Sequence, residues 1–447
     1  MTISRREFLK GAGAAGAAGA VAAASMARVP RALAATLPGP VGLPAPTTSG
    51  IDHIVVLVME NRSFDHFLGW VPGADGRQAG LSYRDERGLW HDTHHLRDWS
   101  GCGYSDPDHS VQGGQKQLDH GRCDGFRVGN VDDYPLGYYL PADVPMNKFL
   151  VDRFTVCDRW FCSILGPTYP NRFYTHSGTT DRTDNTMTES SLPTIWDRLA
   201  TAGVPANYYF SDVPFLALWG QKYLPIARRI DAFFAQAASG TLPAFSYIDP
   251  FFVGEDQGGS NDDHPHADIR RGQAFLAQVV KALMASPTWQ HTVLVITYDE
   301  WGGFFEHVPP PRLPDRRSAP ALGLGQAGFR VPGYVVSPFA RRGHVNSSVF
   351  DHTSILKMVE WRFGLRPLQP RDANAANLVT ALDLHSRNPS LPSEVPALTD
   401  PGPHVCQSDN SFGAGSGTTG GGMANSEAFW EELAHSSLMR GWDAVHV

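Results

Sequence analysis

Two long apolar runs in this chain each end in a pair of polar side chains. The runs cover residues 53–59 and residues 292–298, and both are rich in Val and Ile. Uninterrupted runs of this kind are typical of strands that are buried on both faces of a parallel sheet. We therefore predict two central strands. The polar residues that follow them directly are Glu60 and Asn61, and Asp299 and Glu300.

Further helices and strands are predicted by the spacing of apolar residues elsewhere in the chain. Helices that alternate with buried strands indicate an α/β fold, in which a parallel or mixed sheet is covered on both faces. The segments with helical spacing are residues 193–203, 267–285 and 353–363, and the segments that resemble strands are residues 206–210 and 331–337.

Polar and Pro/Gly-rich segments divide the chain. Residues 35–50 are rich in Pro and Gly and predict an extended linker, and residues 51–388 are predicted to form one large catalytic domain. Within it, residues 73–129 show little periodicity and are predicted to form loops of an active site. Residues 389–447 are predicted to be a loosely ordered Pro/Gly/Ser-rich tail with a short helix near residues 428–439.

The N-terminus carries an export pattern. Residues 4–10 read Ser-Arg-Arg-Glu-Phe-Leu-Lys and precede a weakly apolar Ala/Gly stretch, which ends in the small-x-small site Ala32-Leu33-Ala34. This predicts a twin-arginine signal peptide over residues 1–34, recognised by the twin-arginine translocase. An uncleaved membrane anchor is disfavoured because the stretch is too rich in Gly and Ala. The protein is then expected outside the cytoplasm, either secreted, associated with the cell wall or periplasmic.

Charge and cysteine content narrow the class of protein. The 447-residue chain has a formal net charge of −8, and it lacks runs of Lys or Arg, so nucleic acid is not expected as a partner. The five cysteines allow at most two disulfides in an exported protein. Cys102 with Cys123 and Cys157 with Cys162 are plausible pairs, although the sequence leaves the connectivity open, and Cys406 would remain.

The polar pairs that follow the two strands suggest a metal site. Ligands of parallel sheets bind beyond the carboxyl ends of the strands, so the carboxylates of Glu60, Asp299 and Glu300 would meet there if the strands are neighbours. Three carboxylates this close repel one another unless a cation or shared protons neutralise them, and a divalent metal is the economical explanation. The alternative is that each pair merely caps a following turn or helix.

A hydroxyl and several histidines complete the candidate chemistry. Thr168 stands just before a predicted helix start at Pro170, where the helix dipole stabilises negative charge, so it is a candidate nucleophile. A Thr in a Gly-Pro turn is more often structural. His109, His264 and His307 could bind phosphate oxygens or protonate a leaving group, although a single histidine of this kind is more often a surface or structural residue than a catalytic one.

Five segments occur in a fixed order along the chain. They are residues 59–66 (MENRSFDH), 166–172 (GPTYPNR), 261–265 (NDDHP), 297–304 (TYDEWGGF) and 350–354 (FDHTS). Together they resemble the bacterial phosphoesterase family of non-zinc phospholipases C and metal-dependent acid phosphatases. The resemblance implies an alkaline-phosphatase-like, three-layer α/β/α fold with a mostly parallel central sheet.

By position, the resemblance also implies roles for individual residues. Thr168 would be the nucleophile, and His109, His264 and His307 would bind phosphate or transfer protons. One divalent metal would be bound by Glu60, Asn61, Thr168, Asp299 and Glu300. Oxygen ligands favour Ca²⁺, Mg²⁺ or Mn²⁺ over Zn²⁺.

The function expected from this resemblance is that of a phospholipase C. Such an enzyme would hydrolyse phosphatidylcholine-type lipids to diacylglycerol and a headgroup phosphate through a phosphothreonine, with transient contact to a membrane surface. The nearest alternative is an exported acid phosphatase that acts on small phosphomonoesters. A more distant one is a secreted binding protein that keeps the fold without the chemistry.

Overall fold

An eight-stranded sheet lies at the centre of the protein. Our computed structural model describes residues 43–254, 259–315, 324–403 and 428–445. The strands in chain order are β1 (His53–Met59), β2 (Ser82–Arg84), β3 (Trp90–Asp92), β4 (His94–His95), β5 (Gly137–Tyr138), β6 (Thr155–Cys157), β7 (Trp160–Phe161), β8 (Ala206–Phe210), β9 (Ala227–Arg229), β10 (Phe245–Asp249), β11 (Thr292–Tyr298), β12 (Gly333–Val336), β13 (His344–Asn346) and β14 (Phe350–Asp351).

The central sheet is mostly parallel. Its strand order is β13-β6-β12-β11-β1-β10-β8-β9. Strand β12 runs antiparallel to both of its neighbours, and every other neighbouring pair in this sheet is parallel. The two apolar runs predicted as central strands are β1 and β11, and they are neighbours in the sheet. The remaining strands form three separate two-stranded sheets within the described part of the chain.

Helices cover both faces of the sheet. The helices in chain order are α1 (Phe64–Leu68), α2 (Val111–Leu118), α3 (Pro145–Arg153), α4 (Thr168–Ser177), α5 (Ile195–Ala202), α6 (Ile230–Ser239), α7 (Ile269–Ala285), α8 (Thr353–Phe363), α9 (Pro370–Asn374) and α10 (Ala428–His435). Helices α3 and α6 pack against α7, and helices α4 and α9 pack against α8. All seven residues of β11 are buried. Because successive side chains of a strand point to opposite faces, this burial requires cover on both sides, and the predicted three-layer α/β class is confirmed.

Local sequence signals set the ends of the predicted helices. The Asp268 side chain caps the N-terminus of α7 by accepting a hydrogen bond from the Arg270 amide. The helix begins at Ile269, two residues after the predicted start at residue 267. Helices α5 and α8 end at Gly203 (φ 67°) and Gly364 (φ 64°), both in the left-handed conformation that glycine adopts without a steric penalty. The region predicted as loops, residues 73–129, also contains β2, β3, β4 and α2.

Neither of the two disulfide pairs that the sequence made plausible is present in the structure. Cys102 is disulfide-bonded, whereas Cys123, Cys157 and Cys162 are free. Cys157 lies in the central sheet, and Cys162 follows β7, which belongs to a separate two-stranded sheet, so their short separation in sequence does not bring the two thiols together. Cys406 lies outside the described residues.

Several N- and C-terminal predictions fall on residues that the structure does not describe. These are the signal peptide over residues 1–34, the first part of the linker and the Gly/Ser-rich part of the tail. Within the described residues, we find no helix of the length and apolarity that a membrane span requires. The described residues from 46 onwards cluster as one compact unit.

Candidate functional site

The site is built where β1 and β11 end side by side. Met59 is paired with Tyr298 at the last position of the parallel register, so the two polar pairs that follow start from adjacent positions. The Asn61 amide donates to Asp299 Oδ1 at 3.4 Å. Asn61 has a φ of 60°, a left-handed conformation that Asn tolerates better than most residues, and this bends the chain away from the strand direction. The strand ends therefore meet, as the sequence predicted.

Thr168 reaches this edge from the start of helix α4. The helix begins at Thr168 itself and not at Pro170, so the predicted start was two residues late. The Thr168 hydroxyl lies 3.5 Å from Asn61 Oδ1, to which it donates. The side chain is fully buried. The structure thus places the predicted nucleophile beside the predicted cation ligands, at a helix N-terminus where the dipole favours negative charge.

Arg172 joins the carboxylates of three different strand ends. Its Nε donates to Asp299 Oδ2 at 3.0 Å, and its Nη1 donates to Asp249 Oδ1 at 3.0 Å. Its Nη2 lies 3.2 Å from Glu60 Oε1. The sequence contained signals for both residues that our prediction missed. Arg172 follows Thr168 by one helical turn, and Asp249 ends the apolar strand β10 just as the other carboxylates end theirs.

Among the described residues, carboxylates outnumber cations at this edge. Four carboxylates are fully buried here (Glu60, Asp249, Asp299 and Glu300), and the guanidinium of Arg172 contacts all of them except Glu300. Burial, together with the neighbouring Asp299, raises the pKa of Glu60 and of Glu300 well above the usual range. Burial also raises the pKa of Asp249 to about 6. The raised pKa values of these three carboxyl groups indicate that the site disfavours further negative charge.

Two carboxylate oxygens of the site have no hydrogen-bond donor within the described part of the chain, although the Arg172 guanidinium lies 3.2 Å from one of them, Glu60 Oε1. Glu60 Oε1 and Glu300 Oε1 accept no hydrogen bond from the described residues, and both side chains are fully buried. A buried carboxylate oxygen without a donor is costly unless a cation or a proton occupies the position. The donor set of carboxylate, amide and hydroxyl oxygens is the kind that binds hard divalent cations. The residues present therefore fit the predicted metal.

One of the three predicted histidines, His109, lies beside Glu300, and a second, His264, packs against His109. Glu300 Oε2 accepts a hydrogen bond from the Gly302 amide at 2.7 Å, and its Oε1 lies 4.0 Å from His109 Nδ1. The ring centroids of His109 and His264 are 6.0 Å apart, edge to face. Burial lowers the pKa of His264 to about 3, so its ring is neutral. Because His264 Nδ1 lies 2.8 Å from the Pro265 carbonyl oxygen, the proton resides on Nδ1, and Nε2 is a proton acceptor.

His307 occupies a separate cluster. Its Nδ1 lies 2.5 Å from Asp65 Oδ2, and its Nε2 lies 3.1 Å from Asp75 Oδ1. Arg330 bridges the same Asp65 and Glu306. Burial alone would lower the pKa of His307, but the hydrogen bond that its ring donates to Asp65 raises the pKa overall. Of the contacts described for His307, none reaches Thr168 or the carboxylates at the ends of β1 and β11.

Two further side chains support the backbone at the end of β11. His352 Nε2 lies 2.6 Å from the Asp299 carbonyl oxygen, and Trp160 Nε1 donates to His352 Nδ1 at 3.3 Å. The proton of His352 is therefore on Nε2 and is donated to Asp299. Burial lowers the pKa of His352 to about 4, which keeps this neutral tautomer. His352 supports the backbone at the end of β11.

The sequence matches a known family over most of its length. The model of the Phosphoesterase family matches residues 51–366, and a signal sequence of the twin-arginine translocation pathway matches residues 2–25. Non-specific phospholipase C6 of Arabidopsis thaliana is 34% identical over 370 residues, which cover 73% of this chain and 71% of that protein. Phospholipase C B of Mycobacterium tuberculosis is 30% identical over 478 aligned positions, covering 88% of each chain.

The solved structures that match this chain are more distant in sequence. A protein of the alkaline phosphatase superfamily from Vibrio parahaemolyticus has 10% sequence identity and a TM-score of 0.39, with 77% of each chain covered. The lipoteichoic acid synthase LtaP from Listeria monocytogenes has 9% identity and a TM-score of 0.39, with 77% of this chain and 78% of that chain covered.

Proposed function

The chain belongs to the Phosphoesterase family and is a phosphoric ester hydrolase exported by the twin-arginine route, and on this premise we propose that it is a phospholipase C. Its substrates would be phosphatidylcholine-type lipids, and its products would be diacylglycerol and a headgroup phosphate. The observation that carries the proposal is the buried Thr168 hydroxyl, which lies 3.5 Å from Asn61 at the meeting point of β1 and β11.

The reaction is proposed to proceed by two displacements at phosphorus. Thr168 first loses its hydroxyl proton to solvent. The alkoxide Oγ1 attacks phosphorus in line, the bond to the diacylglycerol oxygen breaks, and a phosphothreonine forms. Water then attacks the same phosphorus, the bond to Thr168 Oγ1 breaks to restore the alkoxide, and the headgroup phosphate is released. The helix N-terminus at Thr168 stabilises the charge that develops on the threonine oxygen.

His109 and His264 are proposed to transfer the protons of the reaction. His109 would donate a proton to the departing diacylglycerol oxygen. His264, whose Nε2 accepts protons, would take one from the water of the second displacement. His307 lies in the cluster of Asp65 and Arg330, and an acid–base role for it would require a substrate that extends to that cluster.

One divalent cation is proposed as the cofactor. The residues that would hold it are Glu60, Asn61, Thr168, Asp299 and Glu300. When bound, it would supply the positive charge that favours ionisation of a hydroxyl group and stabilises phosphate oxygens. The oxygen-rich ligands favour Ca²⁺, Mg²⁺ or Mn²⁺ over Zn²⁺.

An exposed apolar surface favours a lipid substrate over a small phosphomonoester. Leu89, Trp90 and Val131 have exposed fractions of 58%, 62% and 70%. Strand β3, which begins at Trp90, is joined to the loop of Val131 because His91 Nδ1 lies 2.8 Å from Asp133 Oδ1. The same loop contacts the segment that carries His109. Exposed apolar side chains beside a site suit contact with a bilayer, since such side chains gain free energy when they leave water.

Two chromogenic substrates and one vesicle assay test the proposed function. With added divalent metal, we expect hydrolysis of p-nitrophenylphosphorylcholine to exceed that of p-nitrophenyl phosphate by about tenfold or more in kcat/KM. Phosphatidylcholine vesicles should yield diacylglycerol and phosphocholine. Faster hydrolysis of p-nitrophenyl phosphate would identify an acid phosphatase instead. A preparation that binds metal and phosphate but hydrolyses none of the three substrates would indicate a binding protein.

A further inference from the structure

A helix outside the family-matched segment reaches the candidate site. The family match ends at residue 366, whereas α10 begins at residue 428. Trp430, in this helix, is fully buried, and its Nε1 donates to Glu60 Oε2 at 3.4 Å. Glu60 is the carboxylate that directly follows β1. The short helix predicted near residues 428–439 is therefore present at residues 428–435, and it contributes a side chain to the centre of the protein.

The indole ring of Trp430 belongs to a stack that also contains Arg172. Trp430 lies parallel to the ring of Phe252, with ring centroids 3.9 Å apart and an interplanar angle of 5°. The Arg172 guanidinium carbon is 4.7 Å from the centroid of Phe252 and 5.8 Å from that of Trp430. Such cation–π contacts favour the guanidinium in this position. The ring is thus fixed in direction, and its N–H is aimed at one oxygen of Glu60.

Two further contacts hold α10 against the residues around the site. The Tyr169 hydroxyl donates to the Phe429 carbonyl oxygen at 3.2 Å, and Tyr169 directly follows Thr168. The Gly254 amide donates to Glu431 Oε1 at 2.9 Å. The helix therefore contacts the start of α4 and the loop after β10 on either side of Trp430, so its position is coupled to that of the nucleophile.

We propose that Trp430 is a positioning residue that orients the Glu60 carboxylate for cation binding. The Trp430 N–H holds Oε2, and Oε1 is the oxygen that accepts no hydrogen bond from the described residues. Arg172 Nη2 already lies 3.2 Å from Oε1. Without the Trp430 N–H, Oε2 is free to turn towards the same guanidinium and away from the cation position. Groups that orient metal ligands typically contribute about 10- to 100-fold to metal affinity. The inference rests on the cation of the proposed function.

A matched pair of tryptophan variants tests this role. Trp430→Phe keeps the stacked ring and removes the N–H. Trp442→Phe removes an equivalent N–H from the same C-terminal segment, where Trp442 Nε1 donates to the Gly220 carbonyl oxygen at 3.0 Å. Chelator-treated wild type is titrated by calorimetry with Ca²⁺, Mg²⁺ and Mn²⁺ in turn. The ion that binds most tightly is then used for the variants, without substrate.

We expect Trp430→Phe to bind the ion about 10- to 100-fold more weakly and Trp442→Phe to bind it like the wild type. The metal-free melting temperatures of the two variants should be similar. If Trp430→Phe is the less stable of the two, Trp430→His is compared in its place, because it keeps a ring N–H and should bind the ion more tightly than Trp430→Phe.

The outcomes separate the inference from the proposed function. Unchanged affinity in Trp430→Phe, or an equal loss in both Phe variants, would overturn the positioning role and leave the proposed function standing. A wild type that binds none of the three ions would overturn the cation site itself, and the positioning role with it.

Discussion

Replacement of Thr168 by Ala is expected to lower kcat/KM by about 10⁴-fold or more, the scale seen when a nucleophile is removed from an enzyme. The Thr168 hydroxyl lies 3.5 Å from Asn61 Oδ1, and no other hydroxyl donates to the Asn61 side chain in the contacts described. The substitution removes a hydroxyl and a methyl group from a buried site, so a modest loss of stability is expected as well. Initial rates with p-nitrophenylphosphorylcholine, together with melting temperatures, measure both effects.

Thr168→Ser is the matched control for this prediction. It keeps the oxygen and removes only the methyl group, so it should retain substantially more activity than Thr168→Ala at a similar melting temperature. If the well-folded Ala variant turned over at a rate close to that of the wild type, Thr168 would not be the nucleophile, and the two-displacement reaction would be wrong.

Replacement of Arg172 by Met should destabilise the protein by about 3–5 kcal/mol, because it removes the only cation among three buried carboxylates within the described contacts. Arg172 contacts Glu60, Asp249 and Asp299 at 3.0–3.2 Å, and all four side chains are fully buried. Once the guanidinium is lost, these carboxylates must take up protons or accept the free-energy cost of burial without a partner. Urea unfolding in the presence of a chelator measures the loss without a contribution from bound metal.

Arg122→Met provides the surface control for the Arg172 variant. Arg122 also pairs with two carboxylates, those of Asp119 and Asp124, but its side chain is 61% exposed. Exposed ion pairs typically contribute less than about 1 kcal/mol. An Arg172 variant no less stable than the Arg122 variant would show that the buried carboxylates are neutral in the native protein. The charge argument for a cation would then fail.

The strand ends could be predicted from the sequence because the signal is local and strong. Each apolar run is long enough to be a buried strand, and each polar pair follows without a gap. Adjacency of β1 and β11 was an assumption, and the structure supplies it through the parallel pairing of Met59 with Tyr298. The same reasoning applied to the strand that ends at Asp249 would have found that carboxylate too.

Other site residues depend on contacts that no local pattern encodes. Trp430 reaches Glu60 from a separation of 370 positions in the chain. Its helix is short, and its burial results from packing against Phe252 and Tyr169. The placement of His307 beside Asp65 likewise follows from how the loop after β11 folds back. Proximity to Asp299 and Glu300 in the sequence suggested a shared site, but the ring of His307 turns to a different acidic partner.

The cysteine pairing was mispredicted for a related reason. Short separation in the sequence made Cys157 and Cys162 a plausible pair, but the chain leaves the central sheet between them and enters a second one. Both thiols are buried, and burial raises the pKa of Cys157 and of Cys162 well above the usual range. They are therefore protonated core side chains, and thiolate chemistry is not expected of them.

The stereochemical course at phosphorus tests the central claim most directly. The substrate is a phosphorothioate diester of known configuration, hydrolysed by the metal-loaded enzyme in oxygen-18 water, and the configuration of the labelled product is then determined. Two in-line displacements through Thr168 invert phosphorus twice, so the account predicts overall retention. Overall inversion would show that water attacks the substrate directly, and Thr168 would then have no role as a nucleophile.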